Sequence, residues 1–140
     1  MKKLMILITV LAFWGCEKDS TDPGDGGNGN DFVTELEGTW IGGGYTLVFS
    51  GSTYTSTGGD EEWYVGTFSI NTQTNPNQID AVITDCQDWS GECEYIGATS
   101  RGIYKIENNI LTYAAYEPGT PGRPSSFNDS YARVFILTKQ

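Results

Sequence analysis

The chain contains no histidine. That absence removes Ser-His-Asp and Cys-His catalysis, imidazole-ligated zinc or haem, and histidine-based pH switching together. Positive charge is scarce too, with 8 Lys+Arg against 18 Asp+Glu and a formal charge of -10. An interface that grips a phosphate backbone needs clustered Lys and Arg, so no nucleic-acid partner is expected. No window carries the apolar period of a long amphipathic helix, and no apolar run is long enough to span a bilayer. The 140 residues suit one small domain.

What is present begins at the N-terminus with MKKLMILITVLAFWGC. Lys2 and Lys3 form a positive region, Leu4 to Trp14 an apolar one, and Gly15-Cys16 places a small residue before a cysteine. The pattern resembles the bacterial lipoprotein signal, although Phe13 and Trp14 are bulkier than usual. It predicts a signal peptide over 1–15 and lipid on Cys16, with a secretory peptide cut elsewhere as the alternative. Acyl chains on Cys16 would make a membrane the first partner. Removing 1–15 leaves 6 basic and 18 acidic residues, a net charge of -12. The next segment, EKDSTDPGDGGNGND, has no apolar residue except Pro23, so residues 16–31 read as an Asp/Gly-rich tether unable to bury surface. Glu17, Lys18 and Asp19 resemble short charged signals that send lipoproteins to the external face of the outer membrane in Bacteroidota-like organisms. The expected location is therefore the bacterial outer membrane, lipid-anchored, with the external face and the periplasmic leaflet both left open.

Residues 32–140 read as short strands. Period-2 positions occur at Tyr45, Leu47, Phe49; at Tyr64, Phe68, Ile70; at Ile79, Ala81, Ile83; at Leu111, Tyr113, Ala115; and at Tyr131, Arg133, Phe135, Leu137. Gly51-Ser52, Gly58-Gly59-Asp60, Asn75-Pro76-Asn77, Gly91-Glu92 and Asn108-Asn109 supply turns. Asn108-Asn109 is the strongest hairpin signal, because asparagine tolerates the positive φ of a type I′ turn. Glu35-Leu36-Glu37 reads as a brief helical turn or lead-in to Trp40. About eight antiparallel strands form either a small barrel or a two-sheet sandwich, and a barrel removes exposed edges by closing.

Trp40, Tyr45, Phe49, Tyr64, Phe68 and Phe135 fall on expected inward faces and read as core, since large rings supply most of a small core's buried area. Trp63, Trp89, Tyr95, Tyr104, Tyr116 and Tyr131 are less fixed. Several of these on one concave face would stack on sugar rings or hold an apolar ligand, and Trp63, Trp89, Tyr95, Tyr104 and Tyr116, with Arg123, are the candidate ligand-binding residues. Cys86 and Cys93 bracket Gln-Asp-Trp-Ser-Gly-Glu in a compartment where disulfides persist, and are expected to pair. Two thiolates without histidine make a poor metal site. The carboxylates Asp80, Asp85, Asp88, Glu92 and Glu94 lack the regular alternation of a calcium loop and read as a solvated acidic rim, so neither metal nor cofactor is expected. A two-carboxylate glycosidase is chemically open, but nothing in the residue order selects the pair and no catalytic residue is named.

Five motifs recur in order: Leu36-Gly38-Trp40, Gly66-Phe68, Pro76-Ile79-Asp80, Gly102-Ile103-Tyr104-Ile106-Leu111, and Arg123-Pro124-Phe127. Over about 100 residues this order resembles a little-characterised bacterial domain family first catalogued in Planctomycetes and often found in lipoproteins. The resemblance implies a lipocalin-like antiparallel barrel and brings no ligand or activity with it. The departures are the DCQDWSGEC loop and the Pro-Gly-rich approach to Arg123. Arg123 is expected to clamp a carboxylate from Asp80 or Glu117 and fix a loop over one barrel end, with an anionic ligand as the lesser role.

The leading functional expectation is a non-enzymatic, membrane-anchored module for a small apolar or saccharide ligand, which requires an open, aromatic-lined barrel. The alternatives are an inhibitor or protein-interaction module, whose rigid Cys86–Cys93 loop protrudes from a filled barrel into a basic cleft, and a carboxylate-dependent hydrolase.

Overall fold

The computed structural model describes residues 33–59, 61–88 and 90–140. The segments expected to be a signal peptide and a tether, with Cys16, and Trp89 lie outside these residues. A single helical turn, α1 (Val33–Leu36), precedes eight strands: β1 (Gly38–Gly42), β2 (Tyr45–Ser50), β3 (Thr53–Thr57), β4 (Trp63–Asn71), β5 (Asn77–Gln87), β6 (Thr99–Glu107), β7 (Ile110–Ala115) and β8 (Arg133–Lys139). Each strand pairs antiparallel with the next, and β8 returns to β1 through Trp40↔Lys139 and Ile41↔Thr138. The sheet is thus a closed barrel, which decides the choice between barrel and sandwich.

Alternation along the strands explains the closure. In β2, Tyr45, Leu47 and Phe49 turn inward while Thr46, Val48 and Ser50 turn out; Ile79, Ala81 and Ile83 do the same in β5. A register shift beside Val65 and Gly66 leaves Thr84 as an extra residue on β5, so that Cys86 is buried although it stands three positions after Ile83. Asn108 and Asn109 adopt φ of 53° and 62° and turn β6 into β7, the hairpin their sequence predicts. Strand β3 carries no such signal. Its TYTST has one apolar residue, and it is held by pairing on both sides.

The two ends of the barrel differ. At the lower end, α1 delivers Leu36 beneath Trp40, and both are 0% exposed. The indole Nε1 of Trp40 donates to the Leu36 carbonyl at 2.7 Å, satisfying the one polar group that this burial would orphan. Phe49 and Phe68 meet edge to face at 5.0 Å, and Tyr104, Leu111 and Leu137 complete a solid plug. Fully burying each of these large side chains contributes roughly 1.5–3 kcal/mol. The upper end carries the β1–β2, β3–β4, β5–β6 and β7–β8 connections.

The longest of these connections runs from Tyr116 to Ala132 and lies against the outer wall. Arg123 anchors it: Nη2 donates to Asp80 Oδ1 at 2.6 Å, and Nη1 donates to the carbonyls of Gly102 at 2.6 Å and Ile79 at 2.9 Å. Of the two acceptors expected from sequence, Asp80 is the one used. Further along, the Phe127 ring sits 5.7 Å from Lys105 Nζ. Ile103 and Ala114 belong to the outward set of β6 and β7 yet are buried, on the strand neighbourhood where Arg123 and Phe127 tie this segment to β6. The loop is therefore a strap down one side of the barrel rather than a cover over its end.

Candidate functional site

Above the plug the barrel is hollow. A cavity of about 500 Å³ opens at the upper end, within the size range of small-molecule sites. Its walls are built by the inward positions of the strands' upper halves: Tyr45 and Leu47 on β2, Tyr54 and Ser56 on β3, Tyr64 on β4, Tyr113 and Ala115 on β7, and Phe135 on β8. The rim comes from loops, which add Tyr95, Tyr116 and Tyr131. Seven of the chain's eight tyrosines therefore line one cup.

The rings form two walls. On one side Tyr45 meets Phe135 edge to face at 5.0 Å and 86°, and Phe135 stacks on Tyr113 at 5.7 Å and 20°. On the other, Tyr64 and Tyr95 lie tilted with centroids 6.4 Å apart. Burial, reinforced by Tyr113 and Tyr64, pushes the Tyr54 phenol well above its usual range, and burial, with a smaller push from Asp80, raises Tyr113 to about 12. Tyr64 is raised by burial and by Glu62. At the rim, the hydrogen bond that Tyr95 donates to Glu117 raises its phenol to about 12, and the bond from Tyr116 Oη to Asp129 Oδ2, 2.7 Å long, raises Tyr116. These phenols stay protonated at neutral pH, so the cup offers neutral hydroxyls and ring faces rather than phenolates.

Four carboxylates, Glu62, Asp88, Glu94 and Glu117, share the lining with one basic group, Arg133. Asp88 is held below the usual carboxylate range by the Ser90 hydroxyl, 2.6 Å away, and by the amides of Ser90, Glu92 and Gly91. That direction is wrong for a general acid. The Cys86–Cys93 disulfide is formed, with Cα atoms 5.3 Å apart, and it closes the loop that carries Asp88 to the mouth, with Glu94 and Tyr95 directly after it.

The structure divides the aromatic and basic residues singled out from sequence. Tyr95 and Tyr116 meet at the rim, 21 positions apart in the chain, through Tyr95–Glu117 and through Ser100 Oγ, which donates to the Tyr116 carbonyl at 2.9 Å. Trp63 lies on the outer face opposite in parity to Tyr64, Tyr104 is buried in the plug below the cup, and Arg123 is committed to the strap; none of the three lines the cavity. Trp89 lies outside the described residues. Tyr45, Tyr64 and Phe135 occupy inward faces, as their periodicity indicates, but at the height of the cup rather than of the plug. Tyr54 was not legible as a site residue, because its strand was not legible as a strand.

The residues of the five sequence motifs map elsewhere. Leu36, Trp40, Phe68, Tyr104 and Leu111 belong to the plug, and Asp80, Gly102 and Arg123 meet in the strap anchor; of all the motif positions only Ile79 touches the cup. They specify the scaffold.

Fold and cup together define a class: a small, closed, eight-stranded antiparallel barrel of the lipocalin-like kind, with one end plugged and the other open. Beyond that class the comparisons are silent, for no family model, no curated protein and no solved structure matches the chain.

Proposed function

We propose that the barrel is a small-ligand-binding module. The observation that carries this reading is the solvent-reached cup of about 500 Å³ above a packed plug, lined by aromatic faces and a few hydroxyls. An inward-facing phenol brings apolar area and one hydrogen-bonding atom at low cost in side-chain entropy, so a wall of them suits a compact ligand with both an apolar face and polar groups, such as a saccharide or a ring-bearing metabolite. The inhibitor reading needs a filled barrel with a free-standing acidic loop. Here the loop delivers Asp88 to the mouth of a hollow one.

The same reading places the barrel at a membrane surface. Lipid on Cys16 would anchor it, and the acidic, glycine-rich segment 16–31 would act as a self-repelling tether between anchor and barrel, at the bacterial outer membrane. Cys16→Ser is expected to move the protein from the detergent phase to the aqueous phase in phase partition. Equal partition of parent and variant would remove the anchor.

The cup itself is tested by a neutral solvatochromic probe. Ala115 points into the cavity from β7, so Ala115→Trp fills it with an indole while leaving plug, strap and disulfide in place. The parent is expected to bind the probe and the variant to lose at least about tenfold in affinity, with both giving the same far-ultraviolet dichroism. Equal binding by the two proteins would refute the cup as the site.

A further inference from the structure

Building on that ligand-binding reading, we infer that the cup's ligand is an organic cation: a small molecule carrying a protonated amine or quaternary ammonium on an apolar body. Two independent features of the cavity point the same way. The first is charge. Glu62, Asp88, Glu94 and Glu117 line the mouth against Arg133 alone, on a chain whose net formal charge is -10. A concave site with low-dielectric walls focuses that field, attracting cations and repelling carboxylate or phosphate ligands. Among the described residues no three of Asp, Glu and Cys converge closely enough to hold a metal ion, so the negative charge is spread around the rim. Spread charge suits a bulky ammonium group, whereas a compact divalent ion requires several oxygens converging on one point.

The second feature is the interior. Below the rim the lining changes from carboxylates to rings, with Tyr45, Tyr54 and Tyr113 exposing aromatic surface beside Phe135. Aromatic faces carry the negative part of the ring quadrupole and attract desolvated cations. Tyr54 is 8% exposed and its side chain lines the cavity. The same vertical order, carboxylates above and π faces below, would steer a cation in and then replace its hydration shell. An uncharged sugar would use the rings and could donate hydroxyls to the rim carboxylates, but it would gain nothing from their net charge.

The test compares three probes with one aryl body on the full chain by isothermal titration: an aryl-trimethylammonium, its uncharged tert-butyl isostere and the corresponding arylcarboxylate. The cation is expected to bind about tenfold or more tightly than the isostere, and the carboxylate more weakly than either. Raising salt from ~0.02 M to ~0.5 M should shrink the cation's advantage, because the rim charges are solvent-exposed. Glu62→Gln with Glu94→Gln, both at the mouth, should lower affinity for the cation several-fold more than for the isostere. If the isostere binds, loses binding in Ala115→Trp and is matched or beaten by the carboxylate, the cup stands and the cation inference is overturned. If no probe binds, both readings fail.

Discussion

Replacing Gly66 and Gly102 with alanine, one at a time, tests whether the barrel wall is as tightly closed as its register indicates. Both glycines lie on the inward face, Gly66 opposite Tyr54 and Gly102 opposite Ala115. Neither has a positive φ, so alanine is not strained in the backbone, and it gains about 0.4–1 kcal/mol by restricting the unfolded chain. Space decides the result. A Cβ on Gly66 would overlap the carbonyl oxygen of Val82 and lie 2.9 Å from Tyr54 Cε1. That carbonyl belongs to the β4–β5 ladder and cannot rotate away, so the strands themselves must part, at a cost of about 3 kcal/mol. A Cβ on Gly102 would overlap Tyr113 Cε2 and lie 2.8 Å from the Ala114 carbonyl oxygen. The Tyr113 ring borders the hollow cup and has somewhere to go, but the Ala114 carbonyl of the β6–β7 ladder must also shift slightly, so the net cost is about 2 kcal/mol. At about 4–8 °C per kcal/mol for a domain of this size, thermal melts should drop by about 8 °C for Gly102→Ala and by more than about 12 °C for Gly66→Ala. Gly102→Ala should also weaken probe binding, because the displaced ring enters the cup. A Gly66→Ala melt within about 3 °C of the parent, or a reversed order of the two variants, would refute the reasoning.

Two further predictions concern the strap and the tyrosines. Arg123→Met removes the bonds to Asp80, Ile79 and Gly102; Asp80 is 39% exposed and regains water, so the expected cost is only about 1–3 kcal/mol, and hydrogen exchange should accelerate in residues 117–132 before it does in the strands. Protection lost uniformly across barrel and strap would contradict the anchor role. Alkaline titration reads the phenols: burial raises Tyr54, Tyr64, Tyr104 and Tyr113, and hydrogen bonds to Glu117 and Asp129 raise Tyr95 and Tyr116. A folded pKa above the unfolded value gives stability that is complete below pH 10.0 and lost as pH rises toward about 12, so tyrosinate absorbance and unfolding should rise together in that window. These six phenols titrating reversibly near pH 10.0 in a folded barrel would be the contrary result.

The sequence by itself determined an all-β chain of about eight antiparallel strands and much of its frame. Alternation at Tyr45-Leu47-Phe49 and Ile79-Ala81-Ile83 assigned faces, Asn108-Asn109 assigned a hairpin, and Cys86 and Cys93 assigned a bond, because each of these is a local property of backbone period, φ or chain distance. Arg123 and Asp80, 43 positions apart, were legible as partners only because so few basic residues compete for the carboxylates. What the tertiary structure decided was height within the barrel. Tyr104 and Tyr113 both point inward and stand opposite each other in the β6–β7 register, yet one seals the plug and the other lines the cup. A period of two fixes which face a side chain takes. Its depth depends on what fills the space beneath it, and here that is Leu36 and Trp40, delivered by a helical turn to the far end of a sheet that closes on itself.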